Sequence, residues 1–186
     1  GKKESDFRPK IEQFFEHTSV YCPFLSNFHF DIETTNTFPH SSGIASSASG
    51  MSALAMCIVA LEALIYKTSD STSLKRKASF LARLGSGSAC RSIEGGLVVW
   101  GAHSSILGSS DLEGIPFPFD VHEVFKDYQD AILLVDKGEK QVSSSVGHNL
   151  MHNHPFATER FQQAHDHLDA LIPILKSGDL NAFISI

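Results

Sequence analysis

The sequence predicts an α+β fold, and three patterns lead to that prediction. The segment 28–34 alternates apolar and polar residues, as a strand with one buried face does. The segment 51–66 is apolar on nearly every side, which is typical of a buried helix. The segment 158–175 places its apolar residues on one helical stripe. Strand-like and helical patterns therefore occur in one chain.

Length and charge narrow the range of functions. With 186 residues the chain is expected to form one domain or two small ones. Hydrophobic residues make up 42% of it and charged residues 19%, as in an ordinary globular protein. The formal net charge of -6 disfavours nucleic acid as a partner. No apolar run reaches the roughly 18 residues of a membrane-spanning helix, so no membrane partner is expected.

The cysteines Cys22, Cys57 and Cys90 indicate a reducing compartment. Their number is odd and no two of them form a Cys-x-x-Cys pair. Disulfides are rare in the cytosol, where thiols stay reduced. We therefore expect three reduced, buried thiols in a cytoplasmic protein.

The N-terminal half is predicted to contain two helices and one strand. Apolar residues at helical spacing predict a helix over 7–17, with Pro9 in its first turn. The strand 28–34 follows it. A loop of small residues, 38–50, then leads into the apolar helix 51–66.

The predicted elements after a polar loop at 69–73 are shorter. The basic run 75–77 is expected in a solvated loop, and 78–84 is expected to form a short helix. Strands are predicted at 95–101 and 130–136. The second of these is an apolar run suited to the centre of a sheet.

The last long helix, 158–175, contains a proline. Pro173 should kink or interrupt the helix, because proline lacks the N–H group that the helical ladder needs. Gly178 is suited to end this helix, and Asp179 to begin the next one.

Histidine spacing raises the question of a metal site. His148 and His152 are four residues apart, a spacing that can hold zinc on one face of a helix. The chain has no His-Glu-x-x-His motif, and no third ligand is evident. We expect no metal site formed by protein ligands.

The loop 38–50 could hold a phosphate group. Glycine, serine and alanine let the backbone approach a ligand closely, and loop N–H groups can donate to it. The helix that follows adds a partial positive charge at its N-terminus. The loop lacks the Walker A pattern. A flexible serine-rich turn is the alternative on composition alone.

A second loop, Gly85–Ser92, favours the phosphate interpretation. Its sequence, GSGSACRS, is again rich in glycine and serine and contains Arg91. The planar guanidinium of arginine suits a carboxylate or a phosphate. Two such loops indicate a ligand with more than one phosphate, or a nucleotide together with an anionic substrate. A surface ion pair is the alternative role for Arg91.

Three motifs resemble a known family. The segment PHSSGIASSASG resembles the phosphate loop of the GHMP kinase superfamily. The segment ARLGSGSACRSIEGGLVVW resembles its counterpart in diphosphomevalonate decarboxylases, and DKGEKQVSSSVGH resembles their lysine-rich strand end and serine-rich turn. The resemblance extends from about Phe28 to the C-terminus.

The resemblance implies a GHMP kinase-type two-layer α/β sandwich. Residues 1–125 would be the later portion of the N-terminal, ATP-binding domain, which is similar to domain 2 of ribosomal protein S5. Residues 126–186 would begin the C-terminal GHMP domain.

The family's reaction follows from the resemblance. Its members phosphorylate the tertiary hydroxyl of mevalonate 5-diphosphate with ATP and Mg²⁺. Phosphate then leaves as CO₂ is lost, which gives isopentenyl diphosphate. A tertiary hydroxyl is a poor leaving group until it is phosphorylated, and the electrons of the lost carboxylate quench the positive charge that develops on carbon.

The resemblance also implies roles for single residues. Ser46 and Ser47 match the serines that meet the ATP phosphates and the metal ion, so Ser47 is a candidate catalytic residue together with Arg91. Arg91 matches the arginine that binds the substrate carboxylate. Gly43, Ala45 and Ala48 match the residues that let the loop backbone come close to ATP. The residues that match substrate contacts, chiefly with the diphosphate, are Ser86, Gly87, Ser88 and Ser144. The match of Ser144 holds to within one residue of register.

Two departures from the family pattern leave the substrate open. His40–Ser42 stands where the family usually has Thr-Ala-Ala, and Glu94 replaces a residue that is commonly apolar or aromatic. Mevalonate or mevalonate 5-phosphate is therefore an alternative substrate. A homologue that binds anions without catalysis is an alternative of another class.

The resemblance also suggests that this chain is a fragment. The family's catalytic aspartate is expected beyond Ile186, so we expect the 186-residue chain to be inactive alone. Family members often form dimers, and a homodimer is therefore expected as a possible state.

Overall fold

The computed structural model describes residues 7–38, 44–133 and 144–186, with only the backbone given for Ser144, Ser145 and His148. The chain divides into two compact units. Unit 1 contains the described residues up to Ala102 together with Ile106–Phe117, and unit 2 contains His103–Ser105 and the described residues from Pro118 onward. The division at Phe117 precedes the predicted boundary after residue 125.

Unit 1 is built around three helices. They are α1 (Arg8–Ser19), α2 (Ser46–Tyr66) and α3 (Ser71–Gly85), and α3 contacts both of the others. Two 3-10 helices, Pro23–Asn27 and Gly87–Ser92, follow α1 and α3. The core between them consists mainly of apolar side chains, with Phe14, Met51, Val59 and Leu81 the largest fully buried apolar members of the cluster.

The predicted first helix is confirmed as α1. Pro9 lies in its first turn, where the missing N–H breaks no helical hydrogen bond. Near its end, the hydroxyl of Thr18 donates to the carbonyl of Phe14 at 2.8 Å, and Thr18 is fully buried.

The predicted strand at 28–34 is wrong. Its residues are assigned to no strand in the described part of the chain. Phe30 instead packs against the ring of Phe15 on α1, with 5.1 Å between the ring centroids. An alternating pattern marks an extended backbone, and it does not require a paired strand.

Helix α2 is buried on one face only. The predicted burial on all sides is therefore wrong, since Met56 and Leu64 are 41% and 77% exposed. By length and composition α2 is also the one helix in the described ranges that could cross a membrane. The core helix of a soluble protein meets the same criteria. Its buried residues are Ala48, Met51, Ser52, Ala55, Ile58 and Val59.

Helix α3 is longer than predicted. It begins at Ser71 because the carboxylate of Asp70 accepts a hydrogen bond from the N–H of Thr72 at 3.1 Å. The basic run Lys75–Lys77 consequently lies on the helix, and its prediction as a solvated loop is wrong.

The sheet of unit 1 has two short antiparallel strands. They are β1 (Val98–Val99) and β2 (Ile115–Pro116), with Val99 opposite Ile115. The strand predicted at 95–101 is thus confirmed in a shorter form.

Unit 2 is helical in its described residues. It contains the 3-10 helix Glu123–Phe125 and the helices α4 (Ser144–Asn149), α5 (Ala157–Ser177) and α6 (Leu180–Ser185). Residues 130–133 of the second predicted strand are in no strand, and its remaining residues lie outside the described ranges.

Helix α5 continues through Pro173, so the predicted interruption is wrong. The carbonyl that loses its N–H partner to Pro173 is that of Asp169, an exposed residue. The predicted caps are confirmed: Gly178 ends α5, and the Asp179 carboxylate accepts from the N–H of Ala182 at 2.9 Å.

Gly178 should not tolerate a side chain. Its φ is +80°, and an added Cβ would lie 2.5 Å from Nδ1 of His122. That nitrogen accepts the N–H of Val124, so the ring cannot move without losing a hydrogen bond. We expect Gly178→Ala to lower the free energy of unfolding by about 1–3 kcal/mol, measured by urea denaturation. Gly147→Ala is the control, because no described atom beyond its chain neighbours and its own helix backbone lies within 4 Å of its Cβ position. Equal losses in the two variants would contradict this explanation.

Candidate functional site

The first predicted phosphate loop ends in a helix that begins earlier than expected. Helix α2 starts at Ser46, not at Met51, and the residue before it, Ala45, has a left-handed backbone with φ 56°. Among the described residues no side chain caps this end, and the first helical hydrogen bond into Ala45 comes from the N–H of Ser49 at 3.1 Å. The N–H groups of residues 46–48 therefore form an uncapped, positively polarised helix end.

The side chains at this helix end differ in accessibility. Ser46 and Ser47 are half-buried, whereas the methyl group of Ala48 belongs to the core. Ala48 can therefore contribute only its backbone to a ligand. Gly43 and His40–Ser42 lie outside the described residues. The helix end suits an anion through its amides and its two hydroxyls.

The second predicted loop forms a 3-10 helix, Gly87–Ser92, which we call the Arg91 turn. The N–H of Ala89 donates to the carbonyl of Ser86 at 2.8 Å, and Cys90 Sγ lies 3.1 Å from the carbonyl of Gly87. Ala89 and Cys90 are fully buried, while Arg91 is exposed. The turn thus presents the Arg91 side chain to solvent from a buried base.

The glycines of this segment are needed for packing. A Cβ on Gly85 would lie 2.7 Å from Phe14 Cδ2 and from Met51 Sδ. A Cβ on Gly87 would lie 3.0 Å from the indole ring of Trp100. The indole N–H of Trp100 donates to the carbonyl of Asp111 at 3.1 Å. Close packing is enough to explain why both positions are glycine. The substrate contact of Gly87 stays a prediction.

Arg91 differs from the basic residues of α3 in its partners. Lys75 pairs with Glu94 at 2.9 Å, Arg76 pairs with Glu113, and Lys77 pairs with Glu62 at 2.5 Å. Within residues 7–38, 44–133 and 144–186 no carboxylate pairs with Arg91. The surface ion pair considered for Arg91 is thus not seen there, and its guanidinium is available to an anion.

Glu94 has a structural role. Its carboxylate is mostly buried, with 20% of the side chain exposed, and it joins the segment after the Arg91 turn to Lys75 on α3. This pair accounts for an acidic residue at a position that is commonly apolar, so Glu94 need not indicate a different substrate.

The two candidate anion-binding segments lie in the same compact unit. Helix α2 and the Arg91 turn contact each other, and α3 contacts both of them. In its described residues, unit 1 therefore carries an uncapped helix end and, on a neighbouring element, an exposed arginine without a carboxylate partner. This combination can hold two anionic groups.

The chain matches the sequence model of the diphosphomevalonate decarboxylase-like N-terminal domain over residues 1–111. The chain belongs to this family. The match contains the first predicted phosphate loop, α2, α3 and the Arg91 turn. The family resemblance of the two loops is thereby confirmed.

Similar proteins carry the decarboxylase name. A diphosphomevalonate decarboxylase of Ganoderma lucidum is 32% identical over 92% of this chain and 41% of its own length. One of Gibberella zeae is 38% identical over 71% of this chain and 32% of its own length. The chain thus spans less than half the length of these two relatives.

A solved structure supports the fold. A mevalonate diphosphate decarboxylase from Legionella pneumophila superposes with a TM-score of 0.72 and 25% identity, over 98% of this chain and 52% of that one. The predicted GHMP kinase-type α+β fold is confirmed by this match. The helices and the small sheet described above are a fragment of that fold.

One of the predicted substrate-contacting residues lies in unit 2, whereas the others lie in unit 1. Ser144 is the first residue of α4 in unit 2, and only its backbone is described. Ser86 and Ser88 are half-buried at the Arg91 turn. In the part of the chain that the structure covers, no group of three or more histidine, cysteine or acidic residues could hold a metal ion.

Sequence reasoning missed Ser79 of this family member. It is a fully buried serine on α3, and its hydroxyl contacts the backbone of the Arg91 turn. The signal available in the sequence was its position between the apolar residues Ala78 and Leu81, both of which are buried in the structure. A buried hydroxyl requires a hydrogen-bond partner, but the sequence does not show which one.

The three thiols should react at different rates. Cys57 is exposed, which makes the prediction of three buried thiols wrong for this residue. Burial raises the pKa of Cys22 and that of Cys90, so both hold less of the reactive thiolate. We expect a disulfide-exchange reagent to label one thiol per native chain quickly and all three in denaturant. Cys57→Ser should remove the fast phase; rapid labelling of that variant would contradict the assignment.

Proposed function

We propose that the protein to which this chain belongs decarboxylates mevalonate 5-diphosphate to isopentenyl diphosphate in an ATP-dependent reaction. The observation that carries the proposal is Arg91, an exposed guanidinium without a carboxylate partner in the described ranges, on a turn that contacts α2. The names of the relatives support the same reaction. We further propose that the reaction takes place in the cytoplasm.

In this proposal the first turn of α2 binds the phosphates of ATP. The uncapped N–H groups of residues 46–48 donate to phosphate oxygens, and the hydroxyls of Ser46 and Ser47 are oxygen ligands of the kind that Mg²⁺ accepts. ATP supplies the phosphoryl group that makes the tertiary hydroxyl of the substrate a leaving group. The chain's contribution is to position and electrostatically stabilise the reacting groups.

Arg91 then orients the substrate carboxylate in the proposed mechanism. Its two-pronged guanidinium holds the carboxylate whose C–C bond breaks. The electrons of that bond form the new C=C bond as the C–O bond to phosphate breaks, and CO₂ departs. Ser86 and Ser88, at the base of the same turn, are the proposed donors to the diphosphate.

The 186-residue chain alone is proposed to lack turnover. In unit 1, Glu62, Glu94 and Glu113 are held by lysine or arginine, and Asp70 caps α3. These contacts give the four carboxylates structural roles, and we propose that the catalytic aspartate belongs to another part of the protein.

The test compares three substrates. The longest gene product that contains this chain is given ATP and Mg²⁺ with mevalonate 5-diphosphate, mevalonate 5-phosphate or mevalonate, and release of phosphate and CO₂ is measured. We expect coupled release from the diphosphate alone. Release from another substrate would assign the protein a different substrate specificity. Release from none would support the alternative that the protein binds anions without catalysis. The 186-residue chain is assayed in parallel, where any turnover would contradict its proposed inactivity.

A further inference from the structure

Ser79 joins three segments of unit 1 inside the core. Its side chain is fully buried on α3. The hydroxyl donates to the carbonyl of Cys90 at 2.8 Å and accepts the N–H of Gly114 at 2.9 Å. One hydroxyl therefore satisfies a backbone acceptor of the Arg91 turn and a backbone donor of the segment before β2, in a place where unpaired groups are costly.

The junction leaves no space around these hydrogen bonds. A Cβ on Gly114 would lie 3.0 Å from the carbonyl oxygen of Cys90 and 2.9 Å from Cγ1 of Val98. The backbones of the Arg91 turn and of the segment before β2 are thus in direct contact.

Helix α3 holds that neighbouring segment at two further points. Arg83 donates from Nε to the carbonyl of Leu112 at 3.0 Å, and Arg76 pairs with Glu113. Residues 76, 79 and 83 lie on one face of α3. Only Ser79 among these three also bonds the Arg91 turn. A variant at Arg76 therefore weakens the attachment of residues 112–114 without removing the bond to the Arg91 turn.

The bond to Cys90 acts directly on the peptide unit that begins Arg91. The carbonyl of Cys90 and the N–H of Arg91 belong to one planar group, so anchoring the carbonyl fixes the plane from which Arg91 departs. Since no carboxylate in the described ranges holds the Arg91 guanidinium, this backbone sets the direction in which the side chain leaves the turn. We propose that Ser79 is a positioning residue that aims Arg91 at the substrate carboxylate; this rests on the function proposed above.

The first test needs no ligand and therefore stands apart from the proposed function. Amide hydrogen exchange at Gly114 and ¹⁵N relaxation at Arg91 are measured by NMR in the 186-residue chain and in Ser79→Ala. We expect exchange at Gly114 to be at least tenfold faster and the order parameter of the Arg91 amide to fall. Leu74→Ala, near the start of α3, is the control for a general loss of stability, because it removes partly buried apolar contacts.

The second test measures coupling between the two residues. Ser79→Ala should weaken binding of mevalonate 5-diphosphate about tenfold, and the double variant with Arg91→Ala should bind no more weakly than Arg91→Ala alone. Arg76→Ala and Leu74→Ala should stay within twofold of the parent. If the effects of Ser79→Ala and Arg91→Ala multiply, Ser79 does not act through Arg91 and the proposal is overturned.

The remaining outcomes also decide the question. If the unmutated protein does not bind the diphosphate, the proposed function fails. The NMR comparison still tests the positioning of Arg91 in that case. An Arg91 amide as ordered in Ser79→Ala as in the parent would overturn the proposal. Should Ser79→Ala fail to fold, Ser79→Cys, which keeps a weaker donor and acceptor, is measured in its place against the same controls.

Discussion

Arg91→Ala should weaken binding of mevalonate 5-diphosphate by about 10- to 100-fold, because a charge-assisted hydrogen-bonded pair is lost. Calorimetric titration of the 186-residue chain measures this change. If Arg91 holds the carboxylate, binding of inorganic pyrophosphate, which has none, should change less than threefold. Equal losses for the two ligands would instead place the guanidinium on the diphosphate.

Two further variants separate geometry from charge at this position. Arg91→Lys keeps the charge but not the planar fork, so its affinity for the diphosphate should lie between those of the parent and Arg91→Ala. Arg8→Ala removes the same charge from an exposed pair with Glu12 on α1 and should leave binding unchanged. A loss in Arg8→Ala as large as in Arg91→Ala would mean that net charge alone governs the affinity.

Phe14→Ala should lower the free energy of unfolding by about 3–5 kcal/mol, the usual cost of truncating a buried phenylalanine. Phe14 is 1% exposed, and its ring lies against the backbone of Gly85 at the end of α3. The variant therefore leaves a cavity beside the segment that leads into the Arg91 turn. Since domains are stable by only about 5–15 kcal/mol, much of the stability would be lost.

Urea denaturation followed by circular dichroism measures this loss. Phe156→Ala is the matched control, because it deletes the same group from a side chain that is 68% exposed. It should change the free energy of unfolding by less than about 1 kcal/mol. Similar losses in the two variants would show that burial of Phe14 is not what stabilises the protein.

Local signals predicted the helices better than the strands. Pro9, Gly178 and Asp179 act on their own neighbours, and each has the role that its chemistry indicates. Asp70 carries the same N-cap signal, but the polar composition of 69–73 favours a loop when the sequence is considered alone. The strand at 28–34 failed because an alternating pattern does not reveal whether a partner strand exists.

The site was predictable in its segments but not in its contacts. The composition of Gly85–Ser92 indicated the Arg91 turn, and the structure forms a turn there. The partners of Ser79 lie 11 and 35 residues away along the chain, so no local pattern could reveal them. The ion pairs of Lys75 and Arg76 likewise depend on tertiary packing, which composition does not encode.

The packing of Trp100 against Gly87 gives the molecule an internal optical probe. Trp100 is the only tryptophan of the 186-residue sequence, and it belongs to unit 1. Its emission therefore follows the surroundings of the Arg91 turn with no added label. Because unit 2 contributes no tryptophan, fluorescence recorded during denaturation traces the melting of unit 1, while circular dichroism records both units. A difference between the two curves would measure how independently the units unfold.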